Sequence, residues 1–243
     1  MIKALIARIK QGYRTMEFPS PEIKLPPRFL GLPEIKAAGL EKAAAACPYA
    51  AISAQAGTLD LGRCVFCGAC AKASPAVKFT KEYKLCAGSR EDLVLGRDGA
   101  RRARPVPEDL RRILGRSFKL RQVSAGGCGA CEADCNVLGT LAFDLGRFGV
   151  QFVASPRHAD AVLITGPVTK NMALALRKTY DAVPAPKLVI ACGACAISGG
   201  PYSGHEECPG IPADIPVDLY IPGCPPHPLT ILDGILRLIG RVE

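Results

Sequence analysis

The sequence contains no apolar run near the ~18 residues that a membrane-spanning helix requires. Its first residues also lack the long apolar core and the small-residue cleavage site of a secretory signal, and no repeat of solenoid spacing occurs. We therefore expect a chain that remains in a reducing compartment, where disulfides are rare. The chain is expected to be soluble or to be held at a membrane by other subunits.

Cysteine, in contrast, is abundant, at twelve of 243 residues. This content is several times that of an ordinary cytosolic protein, so the thiols must serve as disulfides, reactive groups or metal ligands. Because a reducing compartment disfavours disulfides, the composition favours metal ligands.

The net charge of +9 could suggest a nucleic-acid or anionic-membrane partner. Much of the basic excess lies between positions 97 and 121, a stretch without aromatic residues spaced to stack bases. We therefore interpret this stretch as a solvated or subunit-facing surface and expect no nucleic-acid partner. A zinc scaffold that binds nucleic acid is the rival hypothesis, and it would require a colourless protein with strongly salt-dependent binding.

Composition divides the chain into four segments. Residues 1–35 combine a short helix with a proline-rich extended arm, and residues 36–95 contain the first cysteine group. Residues 96–107, rich in Arg, Gly and Pro, are interpreted as a linker, and residues 108–243 form the second large unit.

The first helix has an apolar stripe at helical spacing, formed by Ile2, Leu5, Ile6 and Ile9. The pattern leaves two alternatives open. The helix either packs as an ordinary surface helix or anchors the chain against a membrane subunit.

Strand and helix patterns alternate in the second unit. The predicted strands are Leu120–Ser124, Val150–Ala154, Ala161–Thr165, Leu188–Ala191 and Val217–Ile221, and the predicted helices are Asn136–Phe148, Thr169–Val183 and Pro228–Ile239. Such alternation predicts an α/β fold with a doubly wound parallel sheet of the flavodoxin type. Cys128, Cys195 and Cys224 each follow a predicted strand, so we expect their thiols to meet at one edge of the sheet.

The first cysteine group is a broken version of a two-cluster pattern. Bacterial ferredoxins repeat C-x2-C-x2-C-x3-C-P, and the fourth cysteine of each run ligates the cluster of the other run. Here one run is intact except for Ser74 in place of its fourth cysteine, and the other run retains only its fourth cysteine, before Pro48. The cysteines that remain form one complete ligand set: Cys47, Cys64, Cys67 and Cys70. The positions of the other ligand set are occupied by Ala37, Leu40, Ala43 and Ser74. The pattern predicts a ferredoxin-like domain with one [4Fe-4S] cluster. Zinc is the alternative, although three cysteines at successive three-residue intervals differ from paired zinc knuckles.

This half resembles the ferredoxin-like subunit of respiratory complex I and related hydrogenases. The resemblance extends upstream, to Gln11-Gly12-Tyr13-Arg14-Thr15 and to Leu25-Pro26-Pro27-Arg28-Phe29, which are similar to the arm before the cluster domain in that family. Family members ordinarily bind two clusters in this domain, so the resemblance implies that one has been lost here.

The second unit, over residues 120–240, resembles the small subunit of group 4 membrane-bound [NiFe] hydrogenases and the homologous complex I subunit. The resemblance depends on Gly127–Glu132, Ala191–Gly200 and above all the block Ile221-Pro222-Gly223-Cys224-Pro225-Pro226. It implies that Cys128, Cys131, Cys195 and Cys224 ligate a second [4Fe-4S] cluster. Complex I has two adjacent cysteines at the first pair, whereas this chain has the C-x2-C spacing of the hydrogenases.

The residue after the second ligand, Glu132, corresponds to a glutamate on the proton route of the hydrogenases. The alternative is a carboxylate that favours a helix N-terminus. Four cysteines match no ligand position and are interpreted as packing residues or as alternative ligands: Cys86, Cys135, Cys192 and Cys208. The pairs 128/131 and 192/195 also resemble a zinc ribbon, but 60 residues separate them, where a ribbon has about 15 to 20.

The two resemblances together imply an electron-relay subunit of an oxidoreductase complex that catalyses nothing alone. The implied partners are a large [NiFe]-hydrogenase-like subunit, membrane-arm subunits and a ferredoxin-type or dehydrogenase electron donor. The implied location is peripheral, on the cytoplasmic face of the inner membrane. The alternative is a complex I-like relay to quinone or another acceptor without nickel.

Overall fold

The structure of the protein is a computed structural model that describes residues 2–20, 23–96 and 102–242. Its first element is helix α1 (Ile2–Gln11), which has no buried residue. The four apolar side chains of the predicted stripe are 45–76% exposed. No contact among the described residues therefore covers the apolar face of α1.

The unit that follows the arm contains small antiparallel sheets and two short helices. Its elements are β1 (Pro33–Ile35), α2 (Leu40–Ala45), β2 (Ile52–Ser53), β3 (Thr58–Asp60), α3 (Ala69–Ala73), β4 (Val77–Phe79) and β5 (Val94–Leu95). β1 pairs with β4, and β2 pairs with β3. Along the chain, α2 lies between β1 and β2, and α3 lies between β3 and β4. β5 pairs with β3 and extends the sheet of β2 and β3. The predicted arm ends inside this unit, since β1 begins at Pro33.

The proline-rich arm packs between the two large units. The ring of Phe18 is buried and contacts both Tyr83 of the first unit and Phe148 of the second. The Met16 N–H donates to the Ala142 carbonyl at 2.8 Å. Pro21 and Glu22, which belong to the predicted arm, lie outside the described residues.

The predicted linker is only partly described, because residues 97–101 lie outside the described ranges. Its last part packs against the second unit. Ala103 and Val106 are buried, the Ala103 N–H donates to the Cys86 carbonyl at 2.7 Å, and the Val106 N–H donates to the Leu238 carbonyl at 2.9 Å. This segment joins the units through defined contacts.

The second unit is built on a five-stranded sheet. Its elements are α4 (Glu108–Leu114), β6 (Phe118–Ser124), α5 (Ala130–Val137), β7 (Val150–Phe152), β8 (Ala161–Thr165), α6 (Lys170–Ala182), β9 (Leu188–Cys192), α7 (Ala194–Ser198), β10 (Leu219–Ile221) and α8 (Pro228–Leu238). Every strand pair is parallel, and the spatial order is β7-β6-β8-β9-β10. Numbered within the unit this is the order 2-1-3-4-5 of flavodoxin-type sheets. The predicted doubly wound parallel sheet is confirmed.

The side chains of the strands alternate between two apolar cores. Leu163 and Ile190 belong to the core that includes α8, whereas Val162 and Ile164 belong to the core that includes Leu176 of α6. This alternation follows from the two-residue period of a strand, and it places helices on both faces of the sheet. Within the described ranges, no helix is long and apolar enough to cross a membrane.

The predicted helix Asn136–Phe148 is wrong. The helix at this place, α5, begins at Ala130 and ends at Val137, and only a 3₁₀ turn occurs at Leu145–Phe148. That turn is preceded by Asp144 and followed by Gly149, both with positive φ, which an α-helix does not accommodate. The other two predicted helices of this unit correspond to α6 and α8 within one residue at each end.

Candidate metal centres

The first predicted ligand set lies around one cavity. The cavity is lined by all four cysteines, Cys47, Cys64, Cys67 and Cys70, and by apolar side chains such as Leu59. Cys64 and Cys70 are buried, Cys47 is half-buried and Cys67 is exposed. The four thiols therefore meet in a mostly apolar pocket with one edge at the surface.

The electrostatics of this pocket suit a cationic occupant. Burial raises the pKa of Cys64 to about 12, and the neighbouring thiols of Cys70, Cys47 and Cys67 contribute to this increase. The backbone N–H of Phe66, which donates to the Cys64 sulfur, opposes it. Free thiolates are thus disfavoured here, whereas bound iron compensates their charge. Backbone N–H groups also approach the sulfurs, from Ala51 to Cys47 Sγ and from Phe66 to Cys64 Sγ, each at 3.4 Å. Hydrogen bonds of this kind stabilise cluster thiolates and tune their potential.

Protein side chains occupy the positions of the missing ligand set. Leu40 and Ala43 are buried in the core of the first unit, whereas Ala37 is exposed. The buried Ser74 hydroxyl donates to the Gly39 carbonyl at 2.8 Å and accepts from the Ala76 N–H at 3.2 Å. The hydroxyl thus ties α2 to the segment after α3, and apolar packing takes the place of thiol ligands.

The second predicted ligand set follows the carboxyl ends of three strands. Cys128 and Cys131 come after β6, Cys195 after β9 and Cys224 after β10. Burial, together with the nearby thiols of Cys224 and Cys128, raises the pKa of Cys195 to about 11. Burial also raises the pKa of Cys131, with contributions from Cys195 and Cys224. Cys195 therefore lies near Cys128, Cys131 and Cys224, at the edge where parallel sheets bind ligands.

Two glycines leave the space beside these thiols open. A Cβ atom on Gly193 would lie 2.6 Å from Cys131 Sγ, and one on Gly200 would lie 3.0 Å from Cys195 Sγ. Both glycines have positive φ, at +93° and +52°. Any larger residue would push the thiols out of place, so this backbone suits a bulky group held by close-set cysteines.

Glu132 lies beside the second thiol group. Its Oε1 accepts hydrogen bonds of 2.6 Å from the hydroxyls of Ser124 and Thr165. Burial raises the pKa of Glu132, but these two hydroxyls and its own backbone N–H lower it further, and the pKa lies below its ordinary value. Ser124 and Thr165 end β6 and β8 in register. Their role was not predicted, because nothing in the local sequence links them to Glu132.

A tetrapeptide, Cys-Gly-Ala-Cys, occurs three times, at 67–70, 128–131 and 192–195. Gly68 and Gly129 are left-handed with ψ of 7° and −7°, whereas Gly193 has ψ of 155°. Cys192 is itself the last residue of strand β9, where it is fully buried. The third copy therefore presents only Cys195 at the sheet edge.

The cysteines outside the two ligand sets have packing contacts. Cys135 and Cys192 are fully buried and hydrogen-bonded to each other. The Cys86 thiol donates to the Thr230 carbonyl at 3.3 Å, and Cys208 is half-buried near Cys195. Among residues 2–20, 23–96 and 102–242, no three His, Cys, Asp or Glu side chains form a group that could hold a single metal ion.

Known proteins match the second unit. Residues 128–238 match the family described as NADH ubiquinone oxidoreductase, 20 Kd subunit. One NADH-quinone oxidoreductase subunit, from Citrifermentans bemidjiense, is 44% identical over 116 residues, covering 48% of this chain and 68% of that protein. The corresponding subunit from Heliobacterium modesticaldum is 41% identical over 121 residues, covering 49% and 69%.

A solved structure is also similar to this chain. It is the membrane-bound sulfane sulfur reductase, described as an archaeal respiratory membrane complex. The matched chain is 36% identical with a TM-score of 0.47, and the match covers 54% of this chain and 73% of that one. All four cysteines of the second ligand set lie within the 128–238 range of the family match.

Proposed function

The chain belongs to the family of the 20 kDa subunit of NADH:ubiquinone oxidoreductase, and we propose that it relays electrons through two [4Fe-4S] clusters in a membrane-bound oxidoreductase complex. The observation that carries this proposal is the placement of eight cysteines in two groups of four, one around a single cavity and one after the carboxyl ends of three parallel strands. A four-iron cluster supplies one-electron transfer without loss of its protein ligands. The chain contributes no catalysis alone.

The residues of each set have defined tasks in this proposal. Cys47, Cys64, Cys67 and Cys70 hold the first cluster in a ferredoxin-like domain of residues 36–95, and Cys128, Cys131, Cys195 and Cys224 hold the second in the α/β domain of residues 108–243. Apolar side chains limit the contact of the first pocket with water, and the glycines beside Cys131 and Cys195 leave space for the second cluster. The segment 1–35 and the linker 96–107 join these domains to each other and to the rest of the complex.

The large partner subunit in this proposal is of the [NiFe]-hydrogenase type. The C-x2-C spacing of Cys128 and Cys131 favours it, and so does Glu132, a carboxylate held at the same edge by two hydroxyls. The second candidate is a relay to quinone or another acceptor without nickel, which the similarity to NADH-quinone oxidoreductase subunits favours. In both cases the electrons enter from a ferredoxin-type or dehydrogenase donor.

Helix α1 supports a peripheral membrane location. Its exposed apolar face is flanked by Lys3, Arg8 and Lys10, and α1 contains no acidic residue. Such a helix suits the interface between a membrane-arm subunit and an anionic lipid surface. The proposed location is the cytoplasmic face of the membrane, where partner subunits hold the chain.

Metal analysis of the native complex distinguishes the candidates. The complex is purified anaerobically from membranes with this chain tagged, and iron, nickel and zinc are measured together with hydrogen-linked and quinone-linked electron transfer. Nickel with hydrogen turnover supports the hydrogenase-type partner. Quinone reduction without nickel favours the second candidate, and zinc without visible cluster absorption overturns the relay proposal itself.

A further inference from the structure

One hydrogen bond joins the loops that carry the two ligand sets. The hydroxyl of Ser198, the last residue of α7, lies 2.8 Å from the carbonyl of Gly62 and 3.1 Å from the carbonyl of Ala194 in its own helix, and the shorter distance makes Gly62 the better acceptor. Gly62 precedes Cys64 by two residues, and Ser198 follows Cys195 by three. Two short pieces of backbone and a single side-chain hydrogen bond therefore connect these two ligands.

The backbone at Gly62 lies directly against α7. A Cβ atom added there would lie 2.8 Å from Ile197 Cγ2 and 2.9 Å from the Arg90 guanidinium carbon. Ile197 in turn packs against the apolar core of the first unit, which contains Cys64 and Cys70. A larger residue at position 62 would displace the side chains of Ile197 and Arg90.

A second set of bonds holds the Gly62 loop in shape. The Asp60 carboxylate accepts from the Gly62 N–H at 2.8 Å and forms two hydrogen bonds with Arg90, at 2.8 and 2.6 Å. The Asp60 carbonyl also accepts from the Cys64 N–H at 3.0 Å. A bidentate pair of this kind has a defined geometry, so the carbonyl of Gly62 is fixed relative to the first thiol group.

We infer that the Ser198 to Gly62 hydrogen bond fixes the position of Cys195 relative to Cys64, and thereby tunes the separation of the two clusters and the rate at which an electron passes between them. This inference rests on the proposed two-cluster function. Electron tunnelling slows exponentially with distance, so a small shift of α7 relative to the loop changes the rate strongly. Ser198 is a positioning residue, because it acts through the placement of Cys195 and is not itself a member of either ligand set.

The test uses the complete chain in its native complex, with Ser198→Ala, Ser198→Thr and the control Ser203→Ala at an exposed serine. Four quantities are measured: iron content, the midpoint potential of each cluster, the magnetic coupling between the reduced clusters, and the rate of electron transfer between them after rapid reduction. For Ser198→Ala we expect unchanged iron content and potentials, weaker magnetic coupling and a severalfold slower transfer. Ser198→Thr retains the hydroxyl and should restore both, and Ser203→Ala should match the unaltered protein.

The outcomes separate this inference from the proposed function. If the unaltered complex contains two coupled clusters and Ser198→Ala leaves both coupling and rate unchanged, the positioning role is overturned while the relay stands. If the unaltered complex lacks either cluster, the proposed function is wrong, and so is this inference, because it depends on both clusters. If Ser198→Ala loses iron, Ser198→Val provides the second variant. It matches Ser198→Thr in size but lacks the hydroxyl, so an equal coupling in these two variants would also refute the inference.

Discussion

Glu132 accepts a 2.6 Å hydrogen bond from the hydroxyl of Thr165, the last residue of the neighbouring strand β8. Ser124 donates to the same oxygen from the end of β6. The carboxylate is therefore fixed at the carboxyl edge of the sheet, directly behind Cys131. The structure thus gives this residue a defined position, and its proposed proton role becomes testable.

Replacing the carboxylate by an amide tests that role. Glu132→Gln keeps the size of the side chain but removes the titratable carboxyl group, so proton-dependent turnover should fall, by about 100-fold or more if the group acts as a general acid or base. Both clusters should remain reducible at normal rates, as measured by spectroscopy. Glu206→Gln, at an exposed carboxylate, is the control. Full activity of Glu132→Gln would leave Glu132 as a hydrogen-bonded carboxylate at the start of a helix.

The content of iron tests the number of clusters. Anaerobically purified protein should contain about eight iron and eight sulfide per chain, from two four-iron clusters. Ser74→Cys should not raise this number, because Leu40 and Ala43 fill the core where the remaining thiols would be needed. A value near twelve would show that the altered ligand positions still hold a cluster.

Single ligand substitutions should affect the two sites separately. Cys47→Ser should damage only the first cluster, because Cys47 shares a cavity with Cys64, Cys67 and Cys70. Cys224→Ser should damage only the second. The measurement is the electron paramagnetic resonance spectrum of each reduced variant, with Cys86→Ser as a control at a buried thiol outside both sets. Two intact signals in Cys47→Ser would contradict the assignment of this ligand.

The exposed face of α1 should determine membrane association. Leu5→Asp with Ile9→Asp places two carboxylates on the apolar face, where both side chains are exposed, and should shift the protein from the membrane fraction to the supernatant. Lys3→Gln with Lys10→Gln keeps the apolar face and should weaken the association mainly at low salt. Unchanged sedimentation of the Leu5/Ile9 variant would mean that α1 packs as an ordinary surface helix.

A buried ion pair in α8 should be costly to break. Asp233 and Arg237 are 2% and 7% exposed in their side chains and lie 3.2 Å apart. Asp233→Leu leaves the guanidinium buried and unpaired, which should lower the free energy of unfolding by about 3–5 kcal/mol. Adding Arg237→Met should restore most of the loss. Thermal unfolding followed by circular dichroism checks the order of stability of the three proteins.

The sheet and its thiols could be predicted because they depend on local patterns. β8 matches its predicted bounds, since a five-residue apolar strand needs no distant information. The predicted helix at Asn136–Phe148 failed for a conformational reason. The positive φ of Asp144 could not be predicted from the sequence, because aspartate adopts both positive and negative φ angles.

The burial of Cys192 in the third Cys-Gly-Ala-Cys segment could not be predicted from the sequence either. Spacing alone makes Cys192 a ligand candidate, but it is the last residue of β9 and its thiol is buried in the core of the second unit. The contact of Ser198 with Gly62 joins residues 136 positions apart. No local pattern predicts such a contact, because it depends on how two units pack.

The apolar packing at Leu40 and Ala43 has a consequence for biogenesis. Cluster domains of small size commonly depend on their inorganic core for folding, yet the half that has lost its thiols is held by ordinary side chains and by the Ser74 hydroxyl. Leu40 and Ala43 nevertheless share one apolar core with Cys64 and Cys70, so we expect this packing to reduce, without removing, the dependence of the domain on bound iron. During iron starvation we therefore expect the newly made chain to keep partial structure in this domain, which limited proteolysis of the iron-depleted protein would measure.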